Sequence, residues 1–197
     1  GCSRRCAYCA IPIITGPHKS RPMEDIVAEV RGLVAKGVKE FQIIAQELTF
    51  YGVDLYKKQS IAELVERISD IEGVEWIRLH YAYPSNFPYD LLRVMRERDN
   101  VCKYLDLPMQ HIAQHVLDDM NRTDTSEHIR EVCKKFKARG MMLRTTMMVG
   151  FPGETDEDFA ELMDFVRETK FDRMGAFTFS PEEGTVAAEM ENQIDEE

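Results

Sequence analysis

The sequence contains no apolar run approaching the roughly 18 residues that a membrane-spanning helix requires, so no membrane partner is expected of these 197 residues. Nor does it open with a charged stretch followed by an apolar segment, the pattern of a secretory signal; its first residues, GCSRRCAYCA, lead straight into cysteines. Positive charge is scarce: 25 Lys and Arg stand against 35 Asp and Glu, a formal net charge of -10. The basic pairs Arg4-Arg5, Lys57-Lys58 and Lys134-Lys135 fall on separate elements and make no continuous strip for a phosphate backbone. Nucleic acid is therefore not the expected partner, and a basic macromolecule is. An even set of cysteines is also lacking: five, with no secretory pattern, argue against a disulfide framework and for a reducing, cytoplasmic setting. There is no tandem repeat and no low-complexity segment.

Present instead is the balance of a folded chain, 44% hydrophobic and 30% charged, long enough for one sizeable core. Pro22 starts a helix bearing Ile26, Val27, Val30, Leu33 and Val34, with Gly37 at its C-terminal cap. Residues 41–45 read as a buried strand. Ser60 and Glu63 form a capping box for a helix bearing Leu64, Val65 and Ile68 and ended by Gly73, and a strand follows at 76–82. The unit recurs as helix 88–98, strand 104–107, helix 126–139 ended by Gly140, strand 143–149, a helix capped by Thr155 and Asp158, and strand 174–179.

Strand and helix alternating with crossovers of this length imply parallel strands with helices outside. The fold class is α/β, a partial (β/α) TIM-like barrel. Such barrels carry their chemistry on loops at the C-terminal ends of the strands, and the unusual stretches AQELTFYG, HYAYP, PMQH, VGFPGET and SPEEGT all follow strands. The cysteines stand where the loop after a first strand belongs. That strand is expected to be missing, residues 1–185 to be a core domain truncated at its amino end, and the acidic 186–197 to be a linker.

The spacing Cys-x-x-x-Cys-x-x-Cys, at Cys2, Cys6 and Cys9, sets three sulfurs around a compact loop. Thiolates are soft donors that select zinc or iron-sulfur clusters. A structural zinc site needs a fourth ligand, for which His18 is the only nearby candidate, whereas a 4Fe-4S cluster with three protein thiolates leaves one iron open. Cys133, on an apolar helix face with Ile129, Val132 and Phe136, and Cys102 read as core thiols.

The triplet, with aromatic Tyr8 just before its last cysteine, resembles the signature of the radical S-adenosylmethionine (SAM) enzymes. The stretches AQELTFYGVDLY, WIRLHYAYP, KYLDLPMQH, LRTTMMVGFPGET and DRMGAFTFSPEEGT further resemble the RimO branch of the methylthiotransferases. The resemblance implies a radical SAM barrel. It also implies a 4Fe-4S cluster on Cys2, Cys6 and Cys9 whose open iron is chelated by SAM, and an external electron donor protein. One-electron cleavage of SAM would then give a radical that removes hydrogen from an unactivated carbon, chemistry beyond any acid or base side chain. A second 4Fe-4S cluster, on an N-terminal domain absent here, and a C-terminal TRAM domain are implied as well. The branch acts on the β-carbon of an aspartate in small-subunit ribosomal protein twelve, while MiaB-like relatives modify a tRNA adenosine.

By the same resemblance Tyr8 and Gln46 belong near SAM, with Gln46 facing its amino end. Gln110, Arg122 and Arg144 belong near its ribose or carboxylate, and Gly150 and Gly153 lie against its adenine. The plainer alternatives are a strand-end cap for Gln46, salt-bridge or surface roles for Gln110, Arg122 and Arg144, and a turn for the glycines. No acid-base residue is assigned. His111 and His115, four apart, are discounted as a metal pair because no carboxylate completes a site. Phe177 and Phe179 read as core aromatics rather than cofactor stackers. The acidic Glu182-Glu183 before Gly184-Thr185 favours a basic protein substrate over a polyanion.

Overall fold

The computed structural model describes residues 1–194. In chain order its elements are α1 (Ile11–Thr15), α2 (Met23–Val34), β1 (Glu40–Ile44), α3 (Val53–Tyr56), α4 (Ile61–Ser69), β2 (Trp76–His80), α5 (Tyr89–Glu97), β3 (Tyr104–Asp106), α6 (Gln114–Asp119), α7 (Ser126–Lys137), β4 (Met142–Val149), α8 (Asp156–Thr169) and β5 (Arg173–Thr178). Short 3-10 turns occupy Leu48–Phe50 and Val186–Glu189, so the first part of the expected linker is structured; 195–197 lie outside the described residues. No helix among the described residues is long and apolar enough to cross a membrane.

Two compact units divide the chain: residues 18–106, and residues 1–17 together with those from Leu107 onward. In the first, β1 and β2 run parallel with Glu40 opposite Trp76 through Ile44 opposite His80. An Ile77–Val101 bridge and an Ala82 N–H to Asp106 carbonyl bond of 2.9 Å bring β3 alongside β2. Ile77 and Leu79 of β2 are buried, as are Leu64, Val65 and Ile68 of α4 and Leu91, Val94 and Met95 of α5, and α4 and α5 pack on each other.

Helix ends follow local chemistry. After α2, Gly37 at φ 90° lets its own N–H reach the Val34 carbonyl (2.8 Å) and the Val38 N–H reach Leu33 (3.1 Å), the paired pattern that satisfies terminal carbonyls. Ser60 departs from expectation: it precedes α4, but its hydroxyl donates back to the Lys58 carbonyl at 3.2 Å and makes no cap bond. Glu63 turns to Arg67 and Lys58, at 2.7 and 3.4 Å, so no capping box forms there. Gly73 also lies beyond the helix it was expected to end, in the turn before β2.

In the second unit β4 and β5 are parallel, with Arg144 opposite Arg173 through Val149 opposite Thr178, and Gln110 bridges to Met147. Leu143, Thr145 and Met147 bury one face of β4; Arg144, Thr146 and Met148 are half-buried on the other. At the C-terminal end of β4 a second apolar cluster joins Ala7, Ala113, Val116, Met120, Phe151, Phe179 and Ala187, with Tyr8, Met148 and Met190 packed on it. The core role expected of both late phenylalanines holds only for Phe179, whose ring meets Phe151 edge-on at 5.4 Å. Phe177 is 60% exposed, because β5 is covered on neither face.

Candidate functional site

The cysteine loop owes its shape to backbone bonds from distant residues. Cys2 N–H bonds the Gly16 carbonyl (3.1 Å) and Cys9 N–H bonds the Cys6 carbonyl (3.1 Å), a turn that sets Cys6 and Cys9 on one bend. Between them Ala7 donates to the Met120 carbonyl and accepts from the Ala187 N–H, both at 2.9 Å. Asn121 Nδ2 adds a bond to the Arg5 carbonyl at 2.6 Å. Asn121 itself closes α6 in the left-handed region at φ 54°, its N–H on Asp118 and the next N–H, of Arg122, on Leu117. One helix end thus grips the loop and aims Arg122.

Arg122 is buried. Its Nη1 donates to the Tyr8 hydroxyl at 3.2 Å and its Nη2 to the Pro108 carbonyl at 2.9 Å. The Asp124 carboxylate lies 3.9 Å from the guanidinium, with the two side chains 2% and 0% exposed. Burial before all else holds the Tyr8 pKa well above the ordinary phenol range, the nearby Cys6 adding to the rise and Arg122 opposing it. Arg122 therefore serves the cysteine loop through Tyr8, a use the sequence did not suggest.

All five cysteines are free thiols, Cys2 buried and Cys6 and Cys9 half-buried. The Cys2 sulfur accepts the Arg4 N–H at 3.4 Å. Burial, helped by the neighbouring Cys6, raises the Cys9 thiol above its usual value, against the Ile11 N–H. Among the described residues no three His, Cys, Asp or Glu side chains are grouped to hold a single metal ion. His18, the fourth ligand zinc would need, bonds Ser20 Oγ through Nε2 at 3.1 Å. A multi-iron cluster takes each thiolate on a separate iron, so its ligands need not converge on one point. Three soft donors on a fixed loop, one already accepting a backbone N–H, fit such a cluster.

The VGFPGET turn follows β4. Gly150 and Gly153 sit at φ 74° and 86°, and a Cβ on either would meet nothing within 4 Å. Conformation, rather than crowding within the protein, demands glycine there. Glu154, unremarked in the sequence, takes the Phe151 N–H at 3.1 Å and lies 3.5 Å from His111 Nε2. His111 Nδ1 accepts the Ala113 N–H at 3.1 Å, so the ring's hydrogen faces Glu154. Thr155 and Asp158 complete the expected capping box of α8, and His115 Nε2 lies 3.2 Å from Asp158. Carboxylates thus do approach both histidines, contrary to expectation, but each histidine has its own.

Gln110 caps the bridge to β4 with φ 70°, its N–H on Thr146 and its carbonyl accepting from Met148 at 2.9 and 2.7 Å. A non-glycine residue held there is conformationally costly. Arg144 is half-buried on the β4 face that also bears Met148. Gln46 belongs to the other unit, exposed just past β1, beside a buried Glu47 whose Oε1 takes the Thr49 N–H (2.9 Å) and hydroxyl (2.6 Å).

The profile of the radical SAM superfamily matches residues 1–166. Among curated proteins, the chain is 64% identical over 190 residues to "Ribosomal protein uS12 methylthiotransferase RimO" of Bacteroides fragilis, covering 95% of this chain and 44% of that protein. It is 50% identical over 196 residues to the protein of the same name from Flavobacterium johnsoniae, covering 98% and 45%. The chain therefore spans under half the length of these relatives. Among solved structures, the radical SAM methyltransferase TsrM of Kitasatospora setae, with cobalamin and a [4Fe-4S] cluster bound, superposes with a TM-score of 0.75 at 18% identity, covering 95% of this chain and 37% of that one. Methylornithine synthase (PylB) gives 0.68 at 16% identity over 97% and 54%. At these identities the likeness establishes the fold, a partial β/α barrel as expected.

Proposed function

The chain belongs to the radical SAM superfamily, and from that premise we propose that Cys2, Cys6 and Cys9 hold a 4Fe-4S cluster with one iron open to SAM. The whole protein would be a cytoplasmic methylthiotransferase acting on an aspartate β-carbon of small-subunit ribosomal protein twelve; its relatives carry the name of a ribosomal protein uS12 methylthiotransferase. When bound, cluster and SAM supply a radical able to take hydrogen from an unactivated carbon. The chain's own residues fix the three thiols, keep their surroundings apolar through Ala7, Phe151 and Phe179, and present polar groups for SAM.

The observation that carries this reading is the clamped loop: free thiols of Cys2, Cys6 and Cys9 held by residues 120–122 and Ala187. Tyr8, Gln110, Arg144, Gly150 and Gly153 are proposed SAM neighbours within one unit. An electron donor protein and a second 4Fe-4S cluster, on residues outside this sequence, belong to the same proposal. Exposed Glu182 and Glu183 and the net charge of -10 favour a basic protein substrate over tRNA.

Anaerobic reconstitution of the full-length protein tests the first step. SAM is expected to alter an iron-sulfur EPR signal that Cys6→Ala abolishes and Cys102→Ala leaves intact; colourless protein holding zinc would refute it. Ribosomal protein and tRNA are then offered in turn, with mass spectrometry on both. A modified adenosine beside unmodified ribosomal protein would overturn the substrate.

A further inference from the structure

We propose that Tyr81 is a specificity-determining contact for the protein substrate, its ring receiving a lysine or arginine side chain of the segment that enters the site; this rests on the basic-protein reading above. Tyr81 directly follows β2, at the C-terminal end of the strand, where barrels of this kind carry their chemistry. Its φ is 60°. Asn86 and Asn121 share that region, which a short amide tolerates, but a tyrosine there is a conformational outlier. Two long-range bonds hold it: the Tyr81 carbonyl accepts the Leu48 N–H at 3.0 Å, and the next N–H, of Ala82, donates to the Asp106 carbonyl at 2.9 Å.

What the strained backbone achieves is the direction of the side chain. Side chains alternate along a strand, so a regular residue 81 would share the buried face of Ile77 and Leu79. Instead the Tyr81 ring lies toward His80, their centroids 6.0 Å apart, and is 43% exposed while Ala82 and Tyr83 after it are buried. Neither backbone preference nor burial of the ring accounts for this, and strain of the kind gathers where ligands are held. The face of an aromatic ring is electron-rich and attracts a cation. Tyr104, on β3, already carries the chain's own Arg78, whose guanidinium carbon lies 5.4 Å from the ring centroid. Exposed Tyr81 offers the same face to a cation from outside, and a chain of net charge -10 favours a basic partner over a polyanion.

The test measures binding of purified small-subunit ribosomal protein twelve to the full-length, reconstituted protein by calorimetry. Tyr81→Asn suits the left-handed backbone and lacks the ring. It is expected to unfold at no lower urea concentration than wild type, to keep the effect of SAM on the EPR signal, and to bind the ribosomal protein about tenfold more weakly. Phenylalanine analogues at position 81 with one, two and three ring fluorines, which drain electrons from the ring face, are expected to weaken binding stepwise. Wild-type affinity in Tyr81→Asn, or a flat fluorine series, overturns the inference. So does a Tyr81→Asn protein less stable than wild type, since packing would then explain the ring, and so does loss of the SAM effect, since the ring would then serve SAM. Weaker tRNA binding by Tyr81→Asn, with the ribosomal protein bound as by wild type, would assign the ring to a nucleobase and overturn it too. If wild-type protein binds no ribosomal protein at all, the substrate reading itself fails, an outcome distinct from any difference between variants.

Discussion

Replacing Arg122 by methionine removes one half of a buried charge pair, and the structure sets the scale of the loss. At 3.9 Å between Nη2 and the Asp124 carboxylate, the direct attraction is about 4 kcal/mol at an effective dielectric constant of about 20. Desolvation of the two groups offsets most of that when both are present, but taking away one partner leaves the other charge buried and costs about 3–5 kcal/mol. Arg122→Met also strips a donor from Tyr8 and from Pro108, so it should fall in the upper part of that range. Asp124→Leu should fall in the lower part, because the guanidinium left behind keeps its bonds to Tyr8 and Pro108. The double variant should cost less than Arg122→Met alone, as no lone charge remains. Hydrogen exchange at the Ala7 N–H, bonded to Met120 at 2.9 Å, reports the local stability. Loss of about 4 kcal/mol appears as exchange about a thousandfold faster. Single-variant effects under about 1 kcal/mol, or strictly additive ones, would refute the idea that these charges are mutually dependent.

Three further outcomes are expected. Burial alone would raise the Asp158 carboxyl, but bonds from Thr155 and the imidazoles of His115 and His111 outweigh it and hold the group below its ordinary 3.8. A depressed folded-state value gives stability that is full above the unfolded one and lost as pH falls through the folded one. Asp158→Asn should therefore flatten the acid limb of stability below about pH 4, measured by urea unfolding, and an unchanged limb would contradict the assignment. Gly150→Ala should destabilise by about 1 kcal/mol through its left-handed backbone, and Gly150→Asn by less; equal losses in urea melts would show that crowding decides there. Burial pushes the Cys133 thiol up to about 12, so iodoacetamide at about pH 8 should spare it in the native protein and label it after unfolding, as peptide mapping would reveal.

How much of the fold was legible follows from which interactions are local. Periodicity placed every strand and each long helix to within a few residues, since one buried face repeats along each of them. The Thr155 and Asp158 box is legible because its whole pattern lies within four residues of chain. Ser60 and Glu63 carry the same pattern and form no box. Ser60 N–H is taken by the Tyr51 carbonyl at 2.8 Å, its side chain turns toward Lys58, and arginine and lysine compete for Glu63. Phe177 is exposed where core burial is expected, because alternation on a strand reports a face, not whether anything covers it.

For the candidate site the boundary falls between ligands and what holds them. Three cysteines at fixed spacing point to soft-metal ligands on the sequence alone. The residues that shape their loop lie more than a hundred positions away: Asn121 on the Arg5 carbonyl, Met120 on Ala7, Arg122 on Tyr8. Only the fold brings these together, so Arg122 read as an even choice between a SAM contact and a surface ion pair. It is neither exposed nor simply paired, since its fork spans Tyr8 and Pro108 while Asp124 balances its charge. Burying a guanidinium to hold one phenol is costly where a phenylalanine would pack as well. That cost is offset because the Pro108 carbonyl and the Asp124 carboxylate are fixed beside the guanidinium by the same fold.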